Sequence, residues 1–233
     1  MAVKIACLGA APSSRKLAPF GDPEWSIWAC SPPNYDLPRV DAWFELHSLA
    51  RKMSKDNAPY FDVLSKHDRV YMNGADPLIG QFPNAIAYPL EDMLKEFGPW
   101  FFTSSLAYML ALAIMQKPQM IGLWGVDMSA TEEYRSQRAG CHFFIREAAK
   151  RGIGVTAPPE SDILNPYPLY AYQEQSPLWW KRRARKKEIQ QRIAECDHAI
   201  QQKQNELWVL RGAVDNMQYE ENTYCPSRYN TGV

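Results

Sequence analysis

No stretch of this chain holds the roughly 18–20 consecutive apolar residues that a membrane-spanning helix needs, so no membrane span is expected. Net charge is missing as well. Twenty-six Lys and Arg balance twenty-six Asp and Glu, and the overall charge selects no polyanionic partner. The five cysteines (Cys7, Cys30, Cys141, Cys196 and Cys225) form no Cys-x-x-Cys pair, so neither a zinc site nor a disulfide framework is indicated. Cys7 and Cys30 fall inside apolar runs, where a free thiol behaves as a small hydrophobe. No repeat of 20–50 residues is visible. The chain runs straight into a strand without the charged and apolar regions of a signal peptide. These absences together point to a reducing cytoplasm.

What is present alternates. At 233 residues, 46% apolar and 22% charged, the chain can bury one full α/β core and carry an appendage. Apolar strand runs are expected at 3–8, 25–30, 40–46, 69–72, 85–87, 120–124 and 153–156. Helices are expected just after Ser14, around 59–66, near 90–96, over 104–116 and over 139–151. Short buried strands separated by helical segments predict an α/β, Rossmann-like fold, with a mostly parallel sheet and helices on both faces. Residues 1–165 form this domain, and 166–180 form a linker rich in Pro, Tyr and Trp. A basic coiled-coil-like helix follows over 181–220, and a flexible tail closes the chain at 221–233.

The most telling stretch is Thr103-Ser104-Ser105 running into an apolar helix and then the strand Met120–Trp124, which ends in Gly125-Val126-Asp127. Hydroxyls and free backbone N–H groups at a helix N-terminus favour phosphate. Strand carboxyl ends are where ligands of open α/β sheets sit. The same grammar opens the chain, where the strand Lys4–Leu8 leads into the turn Gly9-Ala10-Ala11-Pro12-Ser13-Ser14. Gly9, Ser13 and Ser14 read as a phosphate cradle or as an ordinary serine-capped turn. Ser104 and Ser105 likewise read as phosphate or ribose contacts or as a helix cap. Two such turns tilt both readings toward a nucleotide-type ligand. Asp127 binds ribose, holds a divalent metal, acts as a base or caps the next loop.

His47 has the titration range of a general base and follows the alternating strand Asp41–Leu46. Glu45, two residues earlier, is its candidate orienter or an alternative base. The polar segment Glu132–Arg138 reads as a loop in which Arg135 or Arg138 clamps a diphosphate. Trp43, Trp100 and Phe101 are stacking surfaces or core filler.

From Pro177 the pattern changes. Trp179-Trp180 precedes Lys181, Arg182, Arg183, Arg185, Lys186 and Lys187, six cations in seven residues. Such a run reads as a solvated helix start that anchors a coiled coil, or as the contact for a polyanion such as DNA, toward which the cations' opposition to the macrodipole argues. A heptad stripe follows, with Ile193, Ile200, Leu207 and Val214 at one position. Ile189, Cys196, Lys203, Leu210 and Met217 occupy the other, and the stripe predicts oligomerisation through residues 189–217.

Five segments carry a resemblance: Lys4–Ser14, Trp25–Ser31, Asp41–His47, Phe102–Ile114 and Ile121–Met128. Their order and spacing over residues 1–165 resemble the small bacterial sialyltransferases that use CMP-sialic acid, and motility-accessory-factor-type domains. The block through Tyr134, Arg138, Gly152-Ile153 and Pro158 also looks like uncharacterised proteins of tailed bacteriophages. The resemblance implies a nucleotide pocket lined by Gly9–Ser14, the polar strand ends including Ser31, and Thr103–Ser105, with Gly125 and Asp127 beside it. Those sialyltransferases place a catalytic His after the Gly-x-Asp strand. Here Ser129–Gly140 holds no His, and His142 comes just inside the next predicted helix.

Two functions follow. One is a nucleotide-sugar-dependent glycosyltransferase, phage-encoded, with His47 or Glu45 as base and a hydroxyl acceptor such as a hydroxymethylated base in DNA. The other is a non-catalytic nucleotide-binding protein oligomerised by its C-terminal helix. No Asp-x-Asp of metal-dependent transferases is present, and the sequence leaves the need for a metal open.

Overall fold

The computed structural model describes residues 4–30, 37–52, 58–128, 133–166, 168–172 and 177–224. The chain divides into two units, Met1–Pro166 and Tyr167–Val233. In the first, β1 (Lys4–Leu8), β2 (Trp25–Cys30), β3 (Ala42–Glu45), β4 (Val70–Met72), β5 (Ala85–Ala87), β6 (Met120–Trp124) and β7 (Gly154–Thr156) form one sheet. Every pairing is parallel, and the strand order is β5-β4-β3-β2-β1-β6-β7. Alternation within the strands explains why both faces are covered. Ile5 and Cys7 join one apolar cluster while Ala6 and Leu8 join another, and Trp28 and Ile27 divide in the same way.

The first cluster is closed by α3 (Leu90–Phe97), α4 (Ser105–Met115) and α5 (Glu133–Lys150). The second is closed by α1 (Leu49–Lys52), α2 (Ala58–Lys66) and Phe82. α4 packs against β1, β2, β3, α3 and α5, so nearly all of its surface is apolar. It starts where Ser104 accepts a hydrogen bond from the Ala107 N–H at 3.2 Å, as an N-cap does.

Two helix starts differ from expectation by several residues, each for a physical reason. α5 begins at Glu133, so the segment Glu133–Arg138 is helix and not loop. Its inward face is Arg138, Cys141, Phe144 and Ala148. Because a cation occupies the first inward position among the described side chains, the apolar stripe starts later than the helix. The C-terminal helix, α6, spans Pro177–Tyr224, beginning before the expected residue 181. Proline fits the first helical position, where its missing N–H has no partner to lose. Residues 225–233 of the expected tail lie outside the described residues. None of the described helices is long and apolar enough to cross a membrane.

The order of strands fixes the site. From β1 the chain lays β2 to β5 down on one side, then crosses to place β6 and β7 on the other. The carboxyl ends of β1 and β6 therefore flank the topological switch point, where the connections diverge and leave a crevice. The two strand ends are stitched tightly there. The Gly9 N–H donates to the Trp124 carbonyl and the Ala11 N–H to the Gly125 carbonyl, both at 2.8 Å. Gly125 has φ +66°, and a Cβ on it would lie 2.8 Å from the Gly9 carbonyl oxygen and 2.9 Å from that of Ala11.

Gly125→Ala is therefore expected to cost more than the ~1–2 kcal/mol of a left-handed backbone alone, because the methyl also meets two carbonyls. Gly21→Ala, where a Cβ meets nothing within 4 Å, is the control with little change. Urea unfolding midpoints of the two variants check this.

Candidate functional site

The edge formed by the carboxyl ends of β3, β2, β1 and β6 gathers most of the chemistry-bearing side chains. On β3, alternation points Glu45 to the same face as Trp43, toward α2. Glu45 is wholly buried, and a buried carboxylate is stable only when hydrogen-bonded. It accepts from the Tyr60 hydroxyl of α2 at 2.9 Å on one oxygen. On the other oxygen it accepts the His47 backbone N–H at 3.1 Å and meets His47 Nδ1 at 2.6 Å. The His47 side chain is 47% exposed. A carboxylate accepts only, so in the neutral imidazole this contact selects the tautomer protonated on Nδ1, with the lone pair on Nε2. This is the arrangement of a base held and oriented by an acid.

The turn after β1 is less of a cradle than its sequence suggests. Ser14 is buried and accepts the Gly125 N–H at 2.8 Å, so its hydroxyl holds β6 and does not face a ligand. Together with the Gly9 and Ala11 N–H groups, this commits the turn to its neighbour strand. Ser13 donates to Asp127 Oδ1 at 2.9 Å across the switch point, tying the two half-buried polar groups into one unit. What the turn presents in addition is Arg15, a residue that serine-centred reading passes over. Arg15 is 5% exposed, and its Nε and Nη1 are buried without a hydrogen-bond partner among the described residues. Burial pulls the guanidinium below its ordinary range, and nearby Cys30 partly opposes this. The sequence signal for Arg15 is a cation directly following the Gly9–Ser14 turn.

Cys30 ends β2 between the two neighbouring strand ends, with its thiol 3.6 Å from the Leu8 carbonyl. Burial pushes it up to about 12, and it lies in electrostatic reach of both Glu45 and Arg15. Cys141 is also pushed up to about 12 by burial and contacts the Ser104 hydroxyl at 3.8 Å. Ser104 therefore has a structural cap role, while Ser105 opens α4 half-buried. Thr103 donates to the Ser136 carbonyl at 3.0 Å, which holds the approach to α4 against α5. Ser31 and the side chain of Arg135 lie outside the described residues.

Arg138 does not reach out to a diphosphate. It is 2% exposed and donates to the carbonyls of Asp162 at 2.7 Å and Asn165 at 2.9 Å, with a longer contact to the Asp127 carbonyl. His142, one turn along α5, bonds through Nε2 to the Ile163 carbonyl at 2.6 Å. Ser161 adds a bond to the Val126 carbonyl. The segment Ser161–Asn165 is thus strapped to the β6–α5 connection, and Arg138 and His142 position it. Among the described residues no cluster of three or more His, Cys, Asp or Glu side chains suits a metal ion. The six cations of 181–187 lie in the second unit. There Arg185 pairs with Glu188 at 2.6 Å, and Arg183 lies over the rings of Trp179 and Trp180.

No family model matches the chain, and no curated protein matches it. Among solved structures, it is similar to the sialyltransferase CstII from Campylobacter jejuni in complex with cytidine 5'-monophosphate. The identity is 18%, with 66% of this chain and 78% of that one covered, at a TM-score of 0.46. The same enzyme in complex with CMP-3FNeuAc matches at 17% identity, covering 66% and 79%, with a TM-score of 0.46. An α-2,3-sialyltransferase from Campylobacter jejuni in apo form matches at 18% identity, covering 66% and 74%, with a TM-score of 0.43. Likeness this distant says nothing of chemistry, which rests on the residues themselves.

The strap has a pH signature. Burial lowers the His142 pKa from 6.5, outweighing the hydrogen bond to Ile163, and Arg138 adds to the lowering. The unfolded chain then binds more protons in the window below 6.5, so this contribution to stability is full above that pH. It is lost as pH falls through the depressed value. Urea midpoints between pH 7.5 and 5 should fall less steeply for His142→Gln than for the parent chain.

Proposed function

We propose that the unit Met1–Pro166 is a glycosyltransferase domain that moves a sugar from a nucleotide sugar to a hydroxyl acceptor. The carrying observation is the pairing, on one sheet edge, of an acid-oriented imidazole with a buried guanidinium that has two unpartnered nitrogens. One group suits proton abstraction and the other suits a phosphate. The reading is supported by the strand order: only β2, which Cys30 ends, lies between β1, which leads to Arg15, and β3, which leads to Glu45 and His47.

On this reading the donor phosphate accepts from Arg15 Nε and Nη1, and the Ser13–Asp127 unit receives a ribose hydroxyl. Ser105 and the α4 N-terminus add N–H dipole character to the phosphate side. His47 Nε2 takes the proton of the acceptor hydroxyl as its oxygen forms the new bond to the anomeric carbon. The bond from that carbon to the phosphate oxygen breaks, and its electron pair leaves with the nucleotide. Glu45, held by Tyr60, stabilises the imidazolium so formed. The guanidinium balances charge as it develops on the leaving phosphate.

The test uses the whole chain and a panel of CMP-, UDP- and GDP-sugars, with small hydroxyl acceptors and a duplex carrying hydroxymethylated bases. Arg15→Gln should weaken binding of the best donor about 10- to 100-fold, since a hydrogen bond to a charged group contributes ~1.5–3 kcal/mol. Arg15→Lys should recover part of it. His47→Ala should leave donor affinity within about twofold and lower transfer ~10²–10⁴-fold, the usual reach of a general base. Unchanged donor affinity in Arg15→Gln overturns the phosphate assignment. Donor binding with neither transfer nor donor hydrolysis makes the protein a nucleotide-binding module instead.

A further inference from the structure

We infer that α6 is one half of an antiparallel two-stranded coiled coil formed with a second copy of this chain. At 1.5 Å per residue its 48 residues make a rod about 72 Å long. Every described residue from Gln190 to Tyr224 is exposed. Along it Ile193, Ile200, Leu207, Leu210, Val214 and Met217 are each 47 to 62% exposed. With Ile189, Cys196 and Lys203 they alternate at spacings of four and three over 29 residues. That is the seam of a two-helix coiled coil, and a stripe of this length is buried by a partner of the same period.

Charge along the rod says which partner and which way round. Six cations stand at 181–187, at the positive end of the helix dipole, while Asp215, Glu220 and Glu221 stand near the negative end. Both placements are unfavourable for a lone helix. A second copy running the opposite way turns both into attractions. Aligning Ile193 with Leu210 of the second copy seats Leu207 on Cys196 and Val214 on Ile189. The same register lays 181–187 against 216–222, so that Glu220 and Glu221 fall opposite Arg183 and Arg182. It also sets Lys203 against Ile200.

A parallel pair gains two exposed flanking pairs, Arg192 with Asp197 and Glu206 with Arg211, and such pairs contribute little. In return it brings the two Lys203 side chains face to face in the seam and doubles the run of six cations at one end. Within the helix Lys203 is paired with Glu206 at 2.6 Å, a partner it keeps in the antiparallel register.

Native Cys196 gives a test in the full chain, with Cys225→Ser removing the one cysteine that follows it in the sequence. Light scattering should give about twice the 26.7 kDa chain mass, and Ile200→Lys with Leu207→Lys should halve it. Circular dichroism checks that the variants remain folded. Under mild air or copper-phenanthroline oxidation, Leu207→Cys should trap a covalent dimer. Its digest should contain Cys196 joined to residue 207, and the parent should form no Cys196–Cys196 link. A monomeric parent at 100 µM or more, or a mass above the dimer, overturns the pairing. A Cys196–Cys196 or 207–207 link overturns the antiparallel orientation.

Discussion

The whole first unit depends on the close approach of β1 and β6 at their carboxyl ends. Neither Gly9 nor Gly125 can carry a side chain there without meeting backbone of the other strand's exit. The turn after β1 gives its first N–H groups and the Ser14 hydroxyl to β6. The consequence is a switch point whose two lips cannot drift. Arg15 and Ser13 project from one lip and Asp127 from the other. The Ser13–Asp127 bond spans the gap at 2.9 Å. Rigidity at this place gives the site its geometry, since functional groups on strand ends are held more firmly than groups on long loops.

Two buried charges on that edge are treated differently by the fold. The Glu45 carboxylate is satisfied by Tyr60 and by the backbone and ring of His47, so its burial orders a neighbour. The Arg15 guanidinium is buried with two nitrogens that have no hydrogen-bond partner among the described residues, and burying such a cation is costly. A buried, perturbed charge of this kind is a candidate functional group. Asp127 is followed by Met128 at φ +46°, a left-handed conformation unusual for a side-chain-bearing residue. Backbone strain of this kind therefore sits beside the acid that follows β6.

Much of this was legible in the residues. The seven strands are short apolar runs because a sheet covered on both faces needs apolar side chains at successive positions, and Lys4–Leu8 and Met120–Trp124 announce themselves that way. His47 and Glu45 stand two apart in sequence, and although β3 ends at Glu45, the bend after it turns His47 back onto the carboxylate. What was not legible has specific causes. Among the described side chains the inward face of α5 begins with Arg138, so apolar periodicity misses Glu133–Arg138. Ser14 and Ser104 look like ligand contacts because a cap and a phosphate contact use the same hydroxyl at the same helix start. Only the partner N–H groups, Gly125 and Ala107, assign each its structural bond. Arg15 is easily passed over because a cation pair after a turn, here Arg15-Lys16, usually faces solvent. Its burial follows from the stitching of β1 to β6, which no local pattern encodes.

The claim at the centre of this account is that the Arg15 guanidinium holds a phosphate at the switch point, within reach of the Glu45–His47 pair. A crystal structure of the protein with its tightest-binding nucleotide addresses it most directly. The account predicts a phosphate oxygen within about 3 Å of Arg15 Nε or Nη1, the usual length of a charge-assisted bond. It also places the ribose toward Asp127, with His47 Nε2 facing the phosphate side. A nucleotide seated elsewhere, or an Arg15 that stays clear of the bound phosphate, would contradict it.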